Sequence, residues 1–196
     1  GSASSHEGLQ QQIVSATVQI RRQPGNALLY LKRGELYRLH RHWNLALADY
    51  TRAGELDAGL VGIELGRGLL FFDRGQPQKA RLHFDRYLAQ RPEDVTALIT
   101  RARTLVQIGL RRSAIDDYST AIRLQERPKP EHYLERASAV SGLGREHLSG
   151  AVAGPDEGIR RLGLVITLEL AAIDLDLRQE RYDSALERLD RIIERS

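Results

Sequence analysis

An all-α chain assembled from one repeated helical hairpin is the fold the sequence predicts, and three observations predict it. Arg33-Gly34, Arg67-Gly68 and Arg101-Ala102 recur at intervals of 34 residues. Small and large apolar residues follow each pair in the same order. Turn-forming residues separate stretches of helical length. A fixed period of this size means that each unit stacks its apolar face on the next, so the array is a solenoid whose surface, rather than any single pocket, carries function.

The first element is a leading helix. Ser4 to Arg22 holds Leu9, Ile13, Ala16 and Ile20 at spacings of three or four, and Pro24-Gly25-Asn26 stops it. Residues 1–26 therefore read as a tag remnant and a capping helix. Residues 27–60 form the first unit, with Tyr30 fourth, Gly34 eighth, Tyr37 eleventh, Ala46 twentieth, Tyr50 twenty-fourth and Ala53 twenty-seventh. Residues 61–94 repeat the scheme as Gly68, Phe71, Ala80, Phe84 and Pro92, and residues 95–128 as Leu98, Ala102, Leu105, Ala114, Tyr118 and Ala121. Small residues at the eighth and twentieth positions let two helices approach closely, and the aromatics beside them fill the remaining space. Turns fall at His40-Arg41-His42, Arg74-Gly75-Gln76-Pro77 and Ile108-Gly109, while Pro92 and Pro128 close their units by refusing to continue a helix.

The fourth unit, residues 129–164, is irregular. Tyr133, Ala137, Val140 and Gly144 fit a first helix from about Pro130, but the second half fits only with a two-residue insertion that puts Ala151 at the small position and Pro155 at the large one. Proline there predicts a broken, kinked or late-starting helix, with irregular chain from Glu146 to Gly154. Residues 165–196 recover the pattern in Arg181-Tyr182-Asp183-Ser184-Ala185-Leu186, followed by Leu189, Ile192 and Ile193, as a fifth unit and C-terminal cap. Its first helix, Leu164 to Arg178, is apolar over a wide arc (Leu168, Leu170, Ala171, Ala172, Ile173, Leu175, Leu177), which is core or a dimer face.

Composition narrows the function. The chain has 196 residues, 41% of them hydrophobic, enough for a sizeable core spread along one solenoid domain. With 29 basic against 26 acidic residues the formal charge is only +3, and acids interleave with arginines, so nucleic acid is not implied. Arg outnumbers Lys, which occurs only at Lys32, Lys79 and Lys129, a bias that a GC-rich bacterial genome produces unaided. Absent cysteine excludes disulfides and thiolate chemistry. No apolar run is long enough for membrane insertion; the best, Leu162 to Leu177, is broken by Glu169 and Asp174. The start at Gly1-Ser2 without Met points to a trimmed natural N-terminus, and export is slightly favoured over cytoplasmic residence.

The three registered units resemble the tetratricopeptide repeat over Ala27 to Pro128, as found in bacterial members of that family. The resemblance implies a right-handed superhelix of paired helices, with a concave groove lined by the first helix of each pair. It also implies a non-enzymatic scaffold that binds a peptide or helix of a partner protein. Carried onto this sequence, the groove positions give Leu31, Lys32, Glu35 and Arg38 in the first unit. They give Leu65, Leu69 and Phe72 in the second, and Ile99, Arg103, Val106 and Gln107 in the third. Leu65, Leu69 and Phe72 are the expected anchors, with Lys32, Arg38 and Arg103 setting charge preference. The family's clamp for a terminal carboxylate would fall on Leu31, Glu35, Gly66, Thr96 and Thr100, and its residues are absent, so chaperone tails are not expected partners. Self-association through the apolar last unit, giving a homodimer, is the alternative.

Catalytic and metal chemistry find no support, and no cofactor is expected. His40 and His42, two apart beside Trp43, cannot both face one metal on a helix and have no adjacent Cys, Asp or Glu; His6, His83, His132 and His147 are isolated in sequence. Asp116-Asp117 point about 100° apart on a helix, and Gly66-Arg67-Gly68 lies inside a repeat rather than after a strand. Arg33, Arg67, Arg101 and Arg136 hold the seventh position of four successive units, where the family places an apolar residue. Such a ladder either binds an anionic partner or pairs with acids such as Asp49 and Asp117, and the cost of an unpaired buried guanidinium favours pairing.

Overall fold

The computed structural model describes residues 2–194, with side chains for residues 8–194. They form eleven α-helices joined by short turns, without strands. The helices are α1 (Ser2–Arg22), α2 (Ala27–Leu39), α3 (Trp43–Leu56), α4 (Gly62–Asp73), α5 (Pro77–Leu88), α6 (Val95–Gln107), α7 (Arg111–Leu124), α8 (Pro130–Ser141), α9 (Leu148–Leu162), α10 (Ile166–Leu177) and α11 (Tyr182–Ile193). Two compact units divide after Pro92.

In the first unit α1 lies on α2 through Ile13, Ala16 and Leu36, and two hairpins follow, α2 with α3 and α4 with α5. Asn26 caps α2 by accepting a hydrogen bond from the Leu28 amide, and Pro77 opens α5 where no amide donor is required. The helices of each hairpin meet at glycine: a Cβ on Gly34 would stand 2.7 Å from the Tyr50 ring, and one on Gly68 would stand 2.9 Å from Phe84. Tyr50 and Phe84 are completely buried by this approach. Four of the five hairpin turns use one left-handed residue, Arg41, Gly75, Gly109 and Glu180 at φ of 60°, 66°, 81° and 62°, whereas the α8–α9 turn has Gly144 at φ 141°.

The second unit stacks α6 and α7, α8 and α9, and α10 and α11. Asp94 caps α6 by accepting from the Ala97 amide. Arg161, reaching across from α9, donates to the carbonyls of Ile122 at 3.2 Å and Gln125 at 2.7 Å and so satisfies the open end of α7.

The expected irregular stretch is mostly helix. Irregular chain is limited to Gly142–Gly144 and a 3-10 turn at Arg145–His147, after which α9 runs from Leu148 straight through Pro155. Tertiary packing outweighs the lost backbone hydrogen bond. Ala151, Val152 and Leu148 are buried against Ala137 and Leu175, and a Cβ on Gly154 would lie 3.2 Å from both the Tyr133 carbonyl and Ala137. The leading helix begins at Ser2 rather than Ser4, and the last unit's first helix is Ile166–Leu177.

Gly34→Ala should destabilise the chain by about 1–3 kcal/mol in urea denaturation, because the added methyl overpacks against Tyr50. Gly8→Ala, which meets nothing within 4 Å, should be neutral or stabilising by up to about 1 kcal/mol.

Candidate functional site

The residues expected in a groove fall into two sets, one in each unit. In the first unit α2 carries Leu31, Lys32, Glu35 and Arg38, and α4 carries Leu65, Leu69 and Phe72. Leu31 lies against Gly62, Lys32 is exposed, and the three α4 side chains are half-buried. Leu28 and Leu39, at the two ends of α2, are exposed.

Glu35 and Arg38 are tied together. The buried Tyr50 hydroxyl donates to Glu35 Oε1 at 2.6 Å, Arg38 Nε donates to Glu35 Oε2 at 3.1 Å, and Arg38 also bonds Asp73 on α4. Burial and the Glu35 carboxylate hold the Tyr50 phenol far above its ordinary pKa, so it remains a donor. Arg38 is thus occupied within the fold, and Lys32 is the expected groove cation on α2 that stays exposed.

In the second unit Ile99 is buried, Val106 half-buried and Gln107 exposed. Arg103 makes a two-pronged pair with Glu135 of α8 at 2.9 and 2.8 Å. Ile99 and Arg103 line a cleft of about 440 Å³ with Thr96, Thr100, Lys129 and His132. His132 is buried there, with Nδ1 3.3 Å from the Gln125 amide nitrogen. Its pKa is lowered, by burial first and by Arg103 and Lys129 in addition, against the opposing pull of Glu135 and Glu131.

The arginine ladder resolves unevenly. Arg33 pairs with Asp49 through two contacts of 2.7 Å, and Arg101 pairs with Asp117 in the same way, each across sixteen residues of one hairpin. Both acids are buried, and the hydrogen bond that Arg33 donates to Asp49 raises the Arg33 pKa. Arg136 reaches Glu157 at 2.5 Å. At Arg67 the equivalent partner position is His83, which instead contacts Glu64 at 2.9 Å, and Arg67 makes only a 3.4 Å contact to Thr51 and a 3.7 Å one to Glu64.

Sequence inspection misses a buried charge cluster under the terminal hairpin. Arg188 of α11 contacts Asp156 at 2.8 Å, Asp176 at 2.8 Å and Glu169 at 3.6 Å, while Arg181 and Arg191 approach Asp176 and Glu169 from outside at 3.6 Å. Burial would lower the Arg188 pKa, but its bonds to Asp156 and Asp176 outweigh that and leave it raised. The wide apolar arc of α10 also divides: Leu168, Ala172, Ile173 and Leu175 are core, whereas Ile166, Leu170 and Leu177 are exposed. His40 and His42 stack on each other with centroids 5.7 Å apart, and no group of three or more potential ligands able to hold a metal occurs among the described residues. The His6 side chain lies outside them. No helix among them is long and apolar enough to cross a membrane.

Asp49→Asn and Asp117→Asn should each cost about 2–4 kcal/mol in urea denaturation, since each removes the carboxylate charge that answers a largely enclosed arginine. Thr51→Val, beside the loosely held Arg67, should cost less than about 0.5 kcal/mol.

His132 gives a pH dependence. The unfolded chain protonates it near pH 6.5 and the native state resists, so its contribution is complete above that pH and falls away as the pH drops through it. His132→Gln should therefore flatten the decline of the urea midpoint as the pH falls below about 6.5.

No protein-family model matches the chain, and no curated protein is similar to it in sequence. Its fold does match solved structures. YrrB, described as a TPR protein with an unusual peptide-binding site, superposes with a TM-score of 0.74 at 21% identity, covering 91% of each chain. PilW, a widely conserved type IV pilus biogenesis factor, gives 0.73 at 17% identity over 96% of this chain and 86% of its own. A tetratricopeptide repeat protein from Parabacteroides merdae gives 0.69 at 19% identity over 98% and 75%. Hairpins closely spaced by small residues, a left-handed residue in four of the five hairpin turns and these superpositions together establish that the chain has the tetratricopeptide-repeat fold.

Proposed function

We propose that the chain is a non-enzymatic interaction scaffold that holds a peptide or helix of a partner protein against the first helices of its hairpins. The observation that carries this reading is the internally bonded, partly apolar face of α2 and α4. Leu28 and Leu39 are exposed, Leu65, Leu69 and Phe72 are half-buried, and Arg38 engages both Glu35 and Asp73. A surface whose charges are already satisfied gains little from a charged ligand and more from covering its apolar side chains. Affinity then rests on leucine and phenylalanine contacts, and Lys32 supplies the charge preference. The peptide-binding site named for YrrB, which shares this fold, supports the same kind of activity here.

Peptides selected from a random library on the full chain test the assignment. The double variant Leu69→Asp, Phe72→Ala, with unchanged circular dichroism, should lose at least about tenfold in affinity for them. Equal binding by wild type and variant would show that the α2–α4 face is not the site.

A further inference from the structure

Half of the large apolar side chains that the described residues leave exposed lie between Leu164 and Ile193, and four of them form one line along α11: Tyr182, Leu186, Leu189 and Ile193. Spacings of four, three and four keep that line on a single face. A second line runs beside it in step, because each apolar residue is followed directly by an acid: Asp183, Glu187, Asp190 and Glu194. Consecutive residues on a helix point about 100° apart, so the acids form a parallel row at the edge of the apolar stripe. All four acids are exposed, and none takes part in an ion pair among the described residues.

The other hairpins show what belongs on this face. Ala185, Leu189 and Ile192 hold the positions that Ala46, Tyr50 and Ala53 hold in α3 and that Ala114, Tyr118 and Ala121 hold in α7. Within the first unit α4 packs on α3, and within the second α8 packs on α7 and α10 on α9. The large residue is sealed in each case, with Tyr50 at 0% and Tyr118 at 2% exposure and Pro155 enclosed at the same place in α9. Leu189 is 40% exposed. The face of α11 is thus the continuation of an interface that the fold makes repeatedly, always with a helix.

We infer that the outer face of α11 docks an amphipathic helix from a partner protein, one that carries a row of lysines or arginines beside its apolar stripe. The helical form follows from the internal packing, and the basic row follows from the four acids, exposed and without an ion pair among the described residues. Two copies of α11 placed face to face and antiparallel would bring their acid rows to the same edge, which disfavours that symmetric pair. The chain's own α1 does not fit as a head-to-tail occupant: it exposes Val14 and Val18, but its only arginines, Arg21 and Arg22, sit together in its last turn and form no row beside them. The buried pairing of Arg188 with Asp156, Asp176 and Glu169 fixes α11 against α9 and α10 and so presents the stripe on a rigid element.

Two synthetic helices with the same leucine stripe, one flanked by a lysine row and the other by a glutamate row, test this against the full chain by calorimetry. The lysine helix should bind, weakening as salt rises, and the glutamate helix should bind at least about tenfold more weakly. Replacing the acids (Asp183→Asn, Glu187→Gln, Asp190→Asn, Glu194→Gln) should reduce affinity for the lysine helix about tenfold without lowering the melting temperature. Leu186→Ser with Leu189→Ser should remove binding at any salt concentration. Equal binding of the two helices, no binding by either, or indifference to the acid replacements overturns the proposal. A wild-type dimer in sedimentation that the serine variant abolishes would also overturn it, by assigning the face to a second copy.

Discussion

Close contact between a glycine on one helix and an aromatic ring on its hairpin partner is the constraint from which the rest of the molecule follows. At Gly34 and Gly68 the neighbouring rings occupy the space a Cβ would need. Tyr50 is held from two sides, because a Cβ on Gly66 of the next hairpin would also stand 2.8 Å from it. One residue therefore sets the spacing both within a hairpin and between hairpins. Its hydroxyl emerges beside Glu35 and joins the polar network that links α2 to α4, so packing and surface chemistry share an atom.

Charge follows the same economy. Most arginines at the candidate interaction faces are answered by an acid from the fold itself: Arg33 by Asp49, Arg38 by Glu35 and Asp73, Arg101 by Asp117, Arg103 by Glu135. On α11 the acids instead form an exposed row, and it lies beside an apolar stripe at the end of the second unit.

Much of the fold was legible in the sequence because its signals are local. The period of Arg33-Gly34, the small residues and the turn residues specify hairpins without knowledge of distant contacts. Pro155 misled because a propensity argument weighs the lost hydrogen bond and not the packing of Ala151, Val152 and Gly154 that compensates for it. The pairing of Arg33 and Arg101 was accessible, since their acids sit at one fixed offset, but the tether of Arg103 to Glu135 crosses between hairpins and has no such signature. The α11 face was present in the order Tyr182-Asp183, Leu186-Glu187, Leu189-Asp190, Ile193-Glu194. An apolar helix face does not say by itself whether it is covered, and that needed the comparison with α3 and α7.

The reach of the polar contacts has a kinetic consequence. Arg33 finds Asp49 and Arg101 finds Asp117 sixteen residues away, Tyr50 finds Glu35 fifteen away, and the ties from Arg38 to Asp73 and from Arg103 to Glu135 span about one repeat. Little loop entropy has to be lost before any of these contacts forms. Such a chain has low contact order, so its hairpins assemble quickly, and each can close soon after its own residues leave the ribosome, before the following hairpin has been made.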